Sequence, residues 1–410
     1  MTDSLYKIFH TNRKAHYEEY LARFGSPSAV HLPISIRQFN HDNEFQAFFY
    51  YSNDLAMLMQ NIYTLFHDFN NTLHSISNIV EQQFALSSLV EEVHSTSSIE
   101  GIHSTHKELK DILDGNSGNS HFSAIIKKYD LLISGNYQQF TTCEQVRDFY
   151  DEFAHSNAIA ENPANKLDGL LFRKEAVDIH SPSGKIIHRG ITPEEKLISY
   201  LSEALNFLND DNHPVLVRIA VFHYLFAYIH PFYDGNGRTA RFISSAYIAK
   251  HLHPLIALRL AVTIKLRKSS YYSMLKNTDA EINCGDLTPF ISSFLQFIAD
   301  TILDVNHKLQ RKIIQLQLFR QHISKVIPEK GINFDIINWL LQASVFYGRG
   351  LAMNEIMALS GKSRNTLKAK FLLLPVRKVK ATGSRKLFYK IDWAQLKQLY
   401  RYTLTERVNF

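Results

Sequence analysis

Residues 230–241 read His-Pro-Phe-Tyr-Asp-Gly-Asn-Gly-Arg-Thr-Ala-Arg and separate two helix-compatible runs, residues 214–229 and 239–251. Gly235 and Gly237 flank an asparagine at the point where the second helix is expected to begin. Consecutive backbone N–H groups can therefore face one point, and the helix dipole adds to their attraction for an anion. The stretch predicts a helix–loop–helix unit whose loop forms a cup for a phosphate group.

The charged side chains around this loop suit attack on a bound polyphosphate. Asp234 would repel a phosphate in the cup unless a divalent cation bridges the two, and Mg2+, with Mn2+ as a substitute, prefers carboxylate and phosphate oxygens. Arg238 and Arg241 share one face of the following helix and can donate to outer phosphates. His230 is placed to take a proton from an incoming hydroxyl. Each residue alone has an ordinary structural explanation, but their combination at this spacing favours a catalytic site.

The stretch resembles the signature of the Fic (filamentation induced by cAMP) family, His-Pro-Phe-x-Asp-Gly-Asn-Gly-Arg-x-x-Arg, and it meets every fixed position. The similarity extends over about residues 80–300. It implies a mainly helical catalytic core that transfers AMP from ATP to a Ser, Thr or Tyr hydroxyl of a target protein, the chain itself being one candidate target.

The resemblance also implies a role for each site residue. His230 would be the general base, and Asp234 would hold Mg2+. The phosphate-binding residues would be Gly235, Asn236, Gly237, Arg238 and Arg241. Doc-type relatives that act as kinases have Lys in place of the second Gly, so Gly237 favours nucleotidyl transfer, and transfer of UMP, GMP or phosphocholine stays open. Tyr272 would border the adenine, although core packing explains Tyr271 and Tyr272 equally well.

A second motif, Thr-Ser-Ser-Ile-Glu-Gly at residues 96–101, ends an amphipathic run that starts near Ile79. Gly101 is well placed just beyond the end of a helix. The motif resembles the inhibitory pattern of the Fic family, in which Ser or Thr precedes a Glu by four residues. The resemblance implies that Glu100 pairs with Arg241 and blocks the seat of the γ-phosphate, with Thr96 as the other fixed position. In some relatives the same Glu orients a water that removes AMP, so both directions of the reaction stay open.

Residues 177–188 carry apolar runs on both sides of a Ser-Pro-Ser-Gly turn, which predicts a β-hairpin. In the Fic family this hairpin is the flap, which clamps the target by strand pairing, and Ile186 and Ile187 would lie in that strand. The chain departs from the family after the hairpin, since relatives continue with His-x-Pro-Pro and residues 188–191 are His-Arg-Gly-Ile. A plain surface ribbon is the alternative.

The region 361–390 contains ten Lys or Arg residues and no Asp or Glu, whereas the whole chain has 45 basic and 39 acidic residues. The remaining chain therefore holds 35 basic residues against 39 acidic ones. Residues 351–367 have helix–turn–helix spacing, and residues 382–391 indicate a basic hairpin. Together they resemble a winged helix-turn-helix. Its DNA-binding candidates are Arg364, Asn365 and Lys368 on the second helix, and Arg385 and Lys386 on the wing. Protein contact or dimerisation is the alternative use of this fold.

The composition indicates a large soluble protein. Apolar residues make up 45% of 410 residues, and two cysteines are too few for a disulfide framework. The first twenty residues lack the apolar core of a signal peptide, and no uncharged stretch has the length of a membrane span. A cytoplasmic location without a membrane partner is therefore expected.

The predicted fold class is mainly α, with a Fic-type helical core, a small β-hairpin flap and a C-terminal winged-helix domain of mixed α and β structure. The predicted domains are an N-terminal helical region with the inhibitory motif, the catalytic core, a helical linker and the winged domain, at residues 1–110, 111–305, 306–330 and 331–400. The first functional hypothesis is an autoinhibited protein adenylyltransferase that uses ATP and Mg2+. The alternative is a DNA-binding transcriptional regulator whose core senses nucleotide, and a homodimer is compatible with both.

Overall fold

The fold is mainly helical, as predicted, with three small antiparallel sheets. The computed structural model describes residues 3–115, 122–180, 184–325, 327, 329–380 and 387–398. The helices of the first half are α1 (Leu5–Thr11), α2 (Arg13–Phe24), α3 (Asn53–His74), α4 (Asn78–Ile99), α5 (His106–Leu113), α6 (Ser123–Ile133), α7 (Cys143–Tyr150) and α8 (Ser156–Glu161). Those of the second half are α9 (Glu194–Leu208), α10 (Val215–Ile229), α11 (Asn236–His251), α12 (Pro254–Ala257), α13 (Leu260–Leu266), α14 (Lys268–Asp279), α15 (Thr288–Ile323), α16 (Ile332–Phe346), α17 (Met353–Ser360) and α18 (Arg364–Phe371).

Each small sheet is formed by strands that are close in sequence. The strands are β1 (Ala29–Arg37), β2 (Glu44–Tyr50), β3 (Asp178–His180), β4 (Ile186–Arg189), β5 (Leu351–Ala352), β6 (Val376–Lys380) and β7 (Leu387–Ile391). β1 pairs with β2, β3 pairs with β4, and β7 lies between β5 and β6. The β3–β4 pair confirms the hairpin predicted at residues 177–188, and residues 181–183 of its turn lie outside the described residues.

The described residues form two compact units, each assembled from separate stretches of chain. The first unit lies within Met1–His67, Glu92–Ser104 and Ala124–Leu303. The second unit lies within Asp68–Glu91, Thr105–Ser123 and Asp304–Phe410. Because neither unit is continuous in sequence, the domain limits expected at residues 110, 305 and 330 stay predictions.

Helices α10 and α11 form the centre of the first unit and hold the loop between them. Nearly every side chain of both helices is buried, so they are enclosed on all sides rather than on one face. His230 ends α10 with a φ of 54°, and Gly235 precedes α11 with a φ of 80°. Two residues in the left-handed region let the chain reverse within six residues, and glycine adopts this conformation without steric cost.

The inhibitory motif lies at the end of α4. The helix ends at Ile99, and Gly101 follows with a φ of 82°. This conformation confirms the position predicted for Gly101 just past the helix. Thr96 and Glu100 therefore lie one helical turn apart at the C-terminal end of α4.

The C-terminal elements of the second unit contain a helix–turn–helix. Gly361, with a φ of 62°, separates α17 from α18, and Ser363 caps α18. The hairpin begins earlier than predicted, since β6 starts at Val376 rather than near Thr382. Residues 382–386, including the wing candidates Arg385 and Lys386, lie outside the described residues. The winged-helix interpretation stays a prediction.

The core beneath these elements is apolar and closely packed. Ile337, Leu340 and Leu341 of α16 are buried with Leu367 of α18 and Ile391 of β7. Within the described ranges, no helix has both the length and the apolar content that crossing a membrane requires.

We expect Leu340→Ala to lower the free energy of unfolding by about 2–5 kcal/mol, because truncation of a fully buried leucine leaves a cavity. Chemical denaturation followed by circular dichroism measures this loss. Leu372→Ala is the matched control, since Leu372 is 85% exposed, and its expected effect is below about 0.5 kcal/mol. Equal losses for both variants would contradict the assignment of Leu340 to the core.

Candidate functional site

One ring nitrogen of His230 forms a hydrogen bond with the backbone. Its Nδ1 lies 3.3 Å from the carbonyl oxygen of Ala227, and because a carbonyl can only accept, Nδ1 carries the proton in that bond. Burial lowers the pKa of His230 to about 3, and the positive charges of His188 and Arg173 add to this effect. The ring is therefore neutral at physiological pH, and its Nε2 is free to act as a base.

Arg173 fixes the backbone at His230 and was not predicted as a site residue. Its side chain is fully buried, and it donates to the carbonyl oxygens of His230 at 2.8 Å, Glu175 at 2.6 Å, Ile191 at 3.1 Å and Ile229 at 3.2 Å. A Cβ atom at Gly190 would collide with this guanidinium. Glycine at that position is therefore required for Arg173 to reach the backbone at His230.

We expect Arg173→Met to destabilise the protein by about 3–5 kcal/mol, because the change leaves buried carbonyl groups without a donor. Thermal and chemical unfolding measure the loss. Arg37→Met is the matched control, since the Arg37 side chain is 58% exposed and its ion pair with Glu44 spans 3.8 Å. If Arg173→Met were as stable as this control, the four backbone contacts would not contribute to folding.

A second network supports the loop that carries Arg173. The Thr-Pro-Glu-Glu sequence at 192–195 favours a helix with Thr192 at the N-cap and Pro193 at its first position. The helix starts one residue later, at Glu194, with Pro193 at the N-cap and no side-chain cap. Glu194 instead binds the segment 170–172. Its carboxylate accepts the N–H groups of Leu170, Leu171 and Phe172 at 2.8–2.9 Å. No sequence signal indicated this role, because backbone acceptors and donors have no signature of their own.

The phosphate cup is built on a rigid base. Phe232 is buried and stacks on Tyr150, with ring centroids 3.6 Å apart and an angle of 6°. Asn236 accepts from the backbone N–H of Phe232 at 2.9 Å and donates to its carbonyl at 2.7 Å. The Asn236 side chain therefore braces the loop, and its part in binding a phosphate stays a prediction.

Asp234 and Arg238 lie together at the N-terminal end of α11. Asp234 Oδ2 is 2.8 Å from Arg238 Nη2, and the aspartate side chain is 30% exposed. Nε and Nη1 of Arg238 are buried and have no hydrogen-bond partner within the described part of the chain. Unpartnered guanidinium donors beside a helix N-terminus favour an anion at this position.

Arg241, one turn further along α11, is held by the inhibitory motif. Its Nη2 donates to Glu100 Oε1 at 2.5 Å and to the carbonyl of Thr96 at 3.1 Å, and its Nε donates to Thr96 Oγ1 at 2.9 Å. Burial opposes ionisation of Glu100, but Arg241 and Arg238 lower the pKa of this carboxyl below its usual range. A Cβ at Gly237 would collide with the Glu100 carboxylate, so glycine there is needed for the pair to form.

Glu92 anchors the same part of α4. It is fully buried, and its carboxylate accepts the N–H of Ala261, at the start of α13, at 2.9 Å. Burial raises the pKa of Glu92 to about 7, although the bond from Ala261 and the charge of Arg259 favour ionisation. This acid was not predicted from sequence, and it fixes the segment that carries Thr96 and Glu100.

A cavity of about 300 Å3 adjoins part of this site, and Asp234, Gly235 and Arg238 are not among its lining residues. His230, Gly237, Arg241 and Glu100 line it on one side, and Ile187 of the flap lines it on another. Ile186 belongs to the same strand but does not line this cavity.

Two tyrosines border the cavity in different ways. Tyr271 is buried, and its hydroxyl lies 2.8 Å from Nε2 of His223, so it belongs to the core. Tyr272 is 37% exposed and packs against Tyr271 at 5.4 Å. Of the two, only Tyr272 presents a partly open ring to a ligand.

Three comparisons with known proteins bear on this site. Residues 140–248 match the model of the Fic/DOC family. The protein adenylyltransferase Fic of Drosophila grimshawi is 35% identical over 99 residues, which are 24% of this chain and 17% of that protein. The Drosophila melanogaster protein of the same name is 38% identical over 88 residues, 22% of this chain and 15% of that protein. The match thus spans about a sixth of the length of these curated relatives.

Solved structures show a more distant likeness. A Fic family protein from Desulfovibrio desulfuricans G20 has a TM-score of 0.49 at 18% identity, over 84% of this chain and 97% of that chain. Fic-1 from C. elegans has a TM-score of 0.43 at 17% identity, over 64% and 74% of the two chains.

Proposed function

The chain is a Fic/DOC family protein through residues 140–248, and we propose on that premise that it transfers AMP from ATP to a Ser, Thr or Tyr hydroxyl of a protein. One observation carries the proposal. A neutral His230 lies at one end of the loop, and Arg238 follows it with Nε and Nη1 that have no partner among the described residues. A base at one end of a phosphate cup and cations at the other suit in-line transfer of a nucleotidyl group.

The reaction requires one proton acceptor and a site for the leaving group. The target hydroxyl oxygen bonds to the α-phosphorus while the bond from that phosphorus to the bridging oxygen of the β-phosphate breaks. Nε2 of His230 takes the hydroxyl proton, and pyrophosphate leaves. Arg238 and Arg241, three residues apart on α11, would offer fork-shaped donors to the outer phosphates.

Magnesium fits the donors at this site. Asp234 is a single, partly exposed carboxylate beside the cup, and Mg2+ takes one or two carboxylates together with phosphate oxygens. We propose that Asp234 exchanges its partner Arg238 for the cation when nucleotide binds. The bound cation would neutralise charge on the phosphates, and Mn2+ would substitute for it.

We further propose that Glu100 keeps the enzyme inactive. Its carboxylate uses the Arg241 donor that the γ-phosphate would need, and it lies against Gly237 in the cup. ATP then binds without its γ-phosphate in the productive position. A carboxylate at this position could also orient a water for removal of AMP, so the proposal covers both addition and removal.

The position of the label in ATP shows whether AMP or the γ-phosphate is transferred. Incubation of the Glu100→Gly variant and candidate targets with Mg2+ should transfer label from α-phosphate-labelled ATP and none from γ-labelled ATP. GTP, UTP and CDP-choline in the same assay test transfer of GMP, UMP and phosphocholine. Transfer of the γ-label would identify a kinase instead, and absence of all label would overturn the enzymatic proposal.

A second candidate function, nucleotide-sensing transcriptional regulation, is favoured by the exposed basic residues of α18. Arg364, Asn365 and Lys368 are exposed on this helix. Binding of duplex DNA that weakens with salt, and that changes when ATP is added, would support this function. Equal affinity for DNA in the presence and absence of ATP would contradict nucleotide sensing.

A further inference from the structure

A basic cleft of about 470 Å3 lies within the second unit, outside residues 140–248. Helix α5 forms one wall, and residues 347–349 and the β6–β7 hairpin form the other. Its described lining contains five cationic side chains, Lys107, Lys110, Arg349, Lys380 and Lys390. Two acids, Asp111 and Asp114, are also present. The charged Lys, Arg and Asp side chains of the lining therefore sum to about +3.

Aromatic rings contact two cations of the cleft, Lys110 and Arg349, and acidic side chains neutralise the cleft only in part. Lys110 Nζ lies 5.3 Å from the Tyr347 ring centroid, and Arg349 Cζ lies 5.0 Å from that of Phe388. Arg349 donates to Glu355 at 2.6 Å, but its Nε is buried and has no hydrogen-bond partner among the residues described. Burial and repulsion from Arg377 lower the pKa of Lys390. Five cations of the described lining therefore face two acids within it, and a third acid, Glu355, pairs with Arg349 from outside the lining.

The acids of the cleft offset the charge only in part. Asp114 Oδ1 lies 3.8 Å from Arg349 Nη1, which is long for an ion pair. Burial raises the pKa of Asp114, so its charged form is less favoured than that of an exposed aspartate. The balance of the cleft stays cationic.

We propose that this cleft binds a small phosphate ester that carries several negative charges and has the size of a nucleotide. The volume lies within the range of small-molecule sites, and Lys and Arg side chains are the usual partners of phosphate oxygens. Lys110 and Arg349 cover the faces of Tyr347 and Phe388, so a ligand meets charge there rather than a stacking surface. The DNA-binding candidates of α18 do not line the cleft, which favours a small ligand over a duplex.

Titration calorimetry of the full chain with sodium tripolyphosphate tests the proposal. Arg238→Gln weakens the phosphate cup of the first unit, so that the cleft accounts for a larger share of the binding that remains. In that background, Lys110→Gln with Lys390→Gln should weaken binding about tenfold or more, because each lysine loses a charge-assisted contact. Lys107→Gln with Lys380→Gln should act in the same direction, and both of these residues are exposed, so the second pair does not disturb packing.

Lys362→Gln with Lys397→Gln is the matched control. Both lysines are exposed in the second unit and do not line the cleft, so this pair should change the affinity by at most about twofold. The proposal is overturned if Arg238→Gln alone removes all binding, if the cleft pairs bind like their parent, or if the control pair weakens binding equally. It is also overturned if the cleft pairs weaken binding of a short DNA duplex but not of tripolyphosphate.

Discussion

Glu100→Gly is expected to raise the rate of AMP labelling about ten- to hundredfold over wild type. The change removes a charge-assisted bond of 2.5 Å to Arg241, and such bonds are worth about 1.5–3 kcal/mol, which corresponds to this range of rates. It also frees the space beside Gly237 that the carboxylate occupies. Incorporation of α-labelled ATP into the chain or a target protein measures the rate.

Glu100→Gly could activate by releasing Arg241 or by making the end of α4 more flexible, and two further variants distinguish these causes. Glu100→Gln keeps the size of the side chain but loses its charge, so it should activate less than glycine. Ser98→Gly introduces the same flexibility at the end of α4 without touching Arg241, and its rate should equal that of wild type. Activation by Ser98→Gly, or none by Glu100→Gly while label is still transferred, would contradict the inhibitory role of Glu100.

The pairing should persist at neutral pH. Arg241 holds the pKa of Glu100 below its usual range, so the charged pair is present above the ordinary glutamate pKa and is lost only as pH falls through the lowered one. If Glu100 inhibits as proposed, mild acidification should therefore not activate the protein through Glu100. Release at physiological pH requires a competitor for Arg241 or a movement of α4.

The sequence predicted the parts of the site that depend on local pattern. Residues 230–241 indicated a loop between two helices because glycines and apolar runs have local conformational preferences, and α10 and α11 confirm it. The contact of Glu100 with Arg241 joins residues 141 positions apart, and only the family resemblance indicated it. No periodicity within the chain carries that information.

The remaining contacts could not be predicted because they use backbone groups of distant segments. Arg173 binds carbonyls in three separate loops, and Glu194 binds three consecutive N–H groups. Every residue offers such groups, so their partners depend on the tertiary fold alone. The region expected to be helical at the N-terminus also contains β1 and β2, which pair with each other after α1 and α2.

His230→Ala, introduced into the Glu100→Gly variant, is expected to lower kcat by a factor of about 100 to 10000, the usual contribution of a general base. Nucleotide affinity should change little, because the residues assigned to the phosphates are Arg238, Arg241 and the loop amides. His67→Ala, at an exposed histidine of α3, should keep full activity. Undiminished labelling by the His230→Ala variant would exclude this histidine as the base.

The pH dependence gives an independent test of the same role. His230 is in its base form above its pKa of about 3. Two groups raise this pKa, the Ala227 carbonyl and the Glu100 carboxylate. Removing Glu100 therefore lowers the pKa further, so kcat/KM of Glu100→Gly, which reports the free enzyme, should be flat from about pH 5.5 to 8. A decline centred near 6.5, the ordinary histidine value, would mean that His230 is solvated rather than buried when the enzyme acts. A flat profile, together with loss of activity in the His230→Ala variant, would instead support the buried, neutral ring as the base in the chemical step.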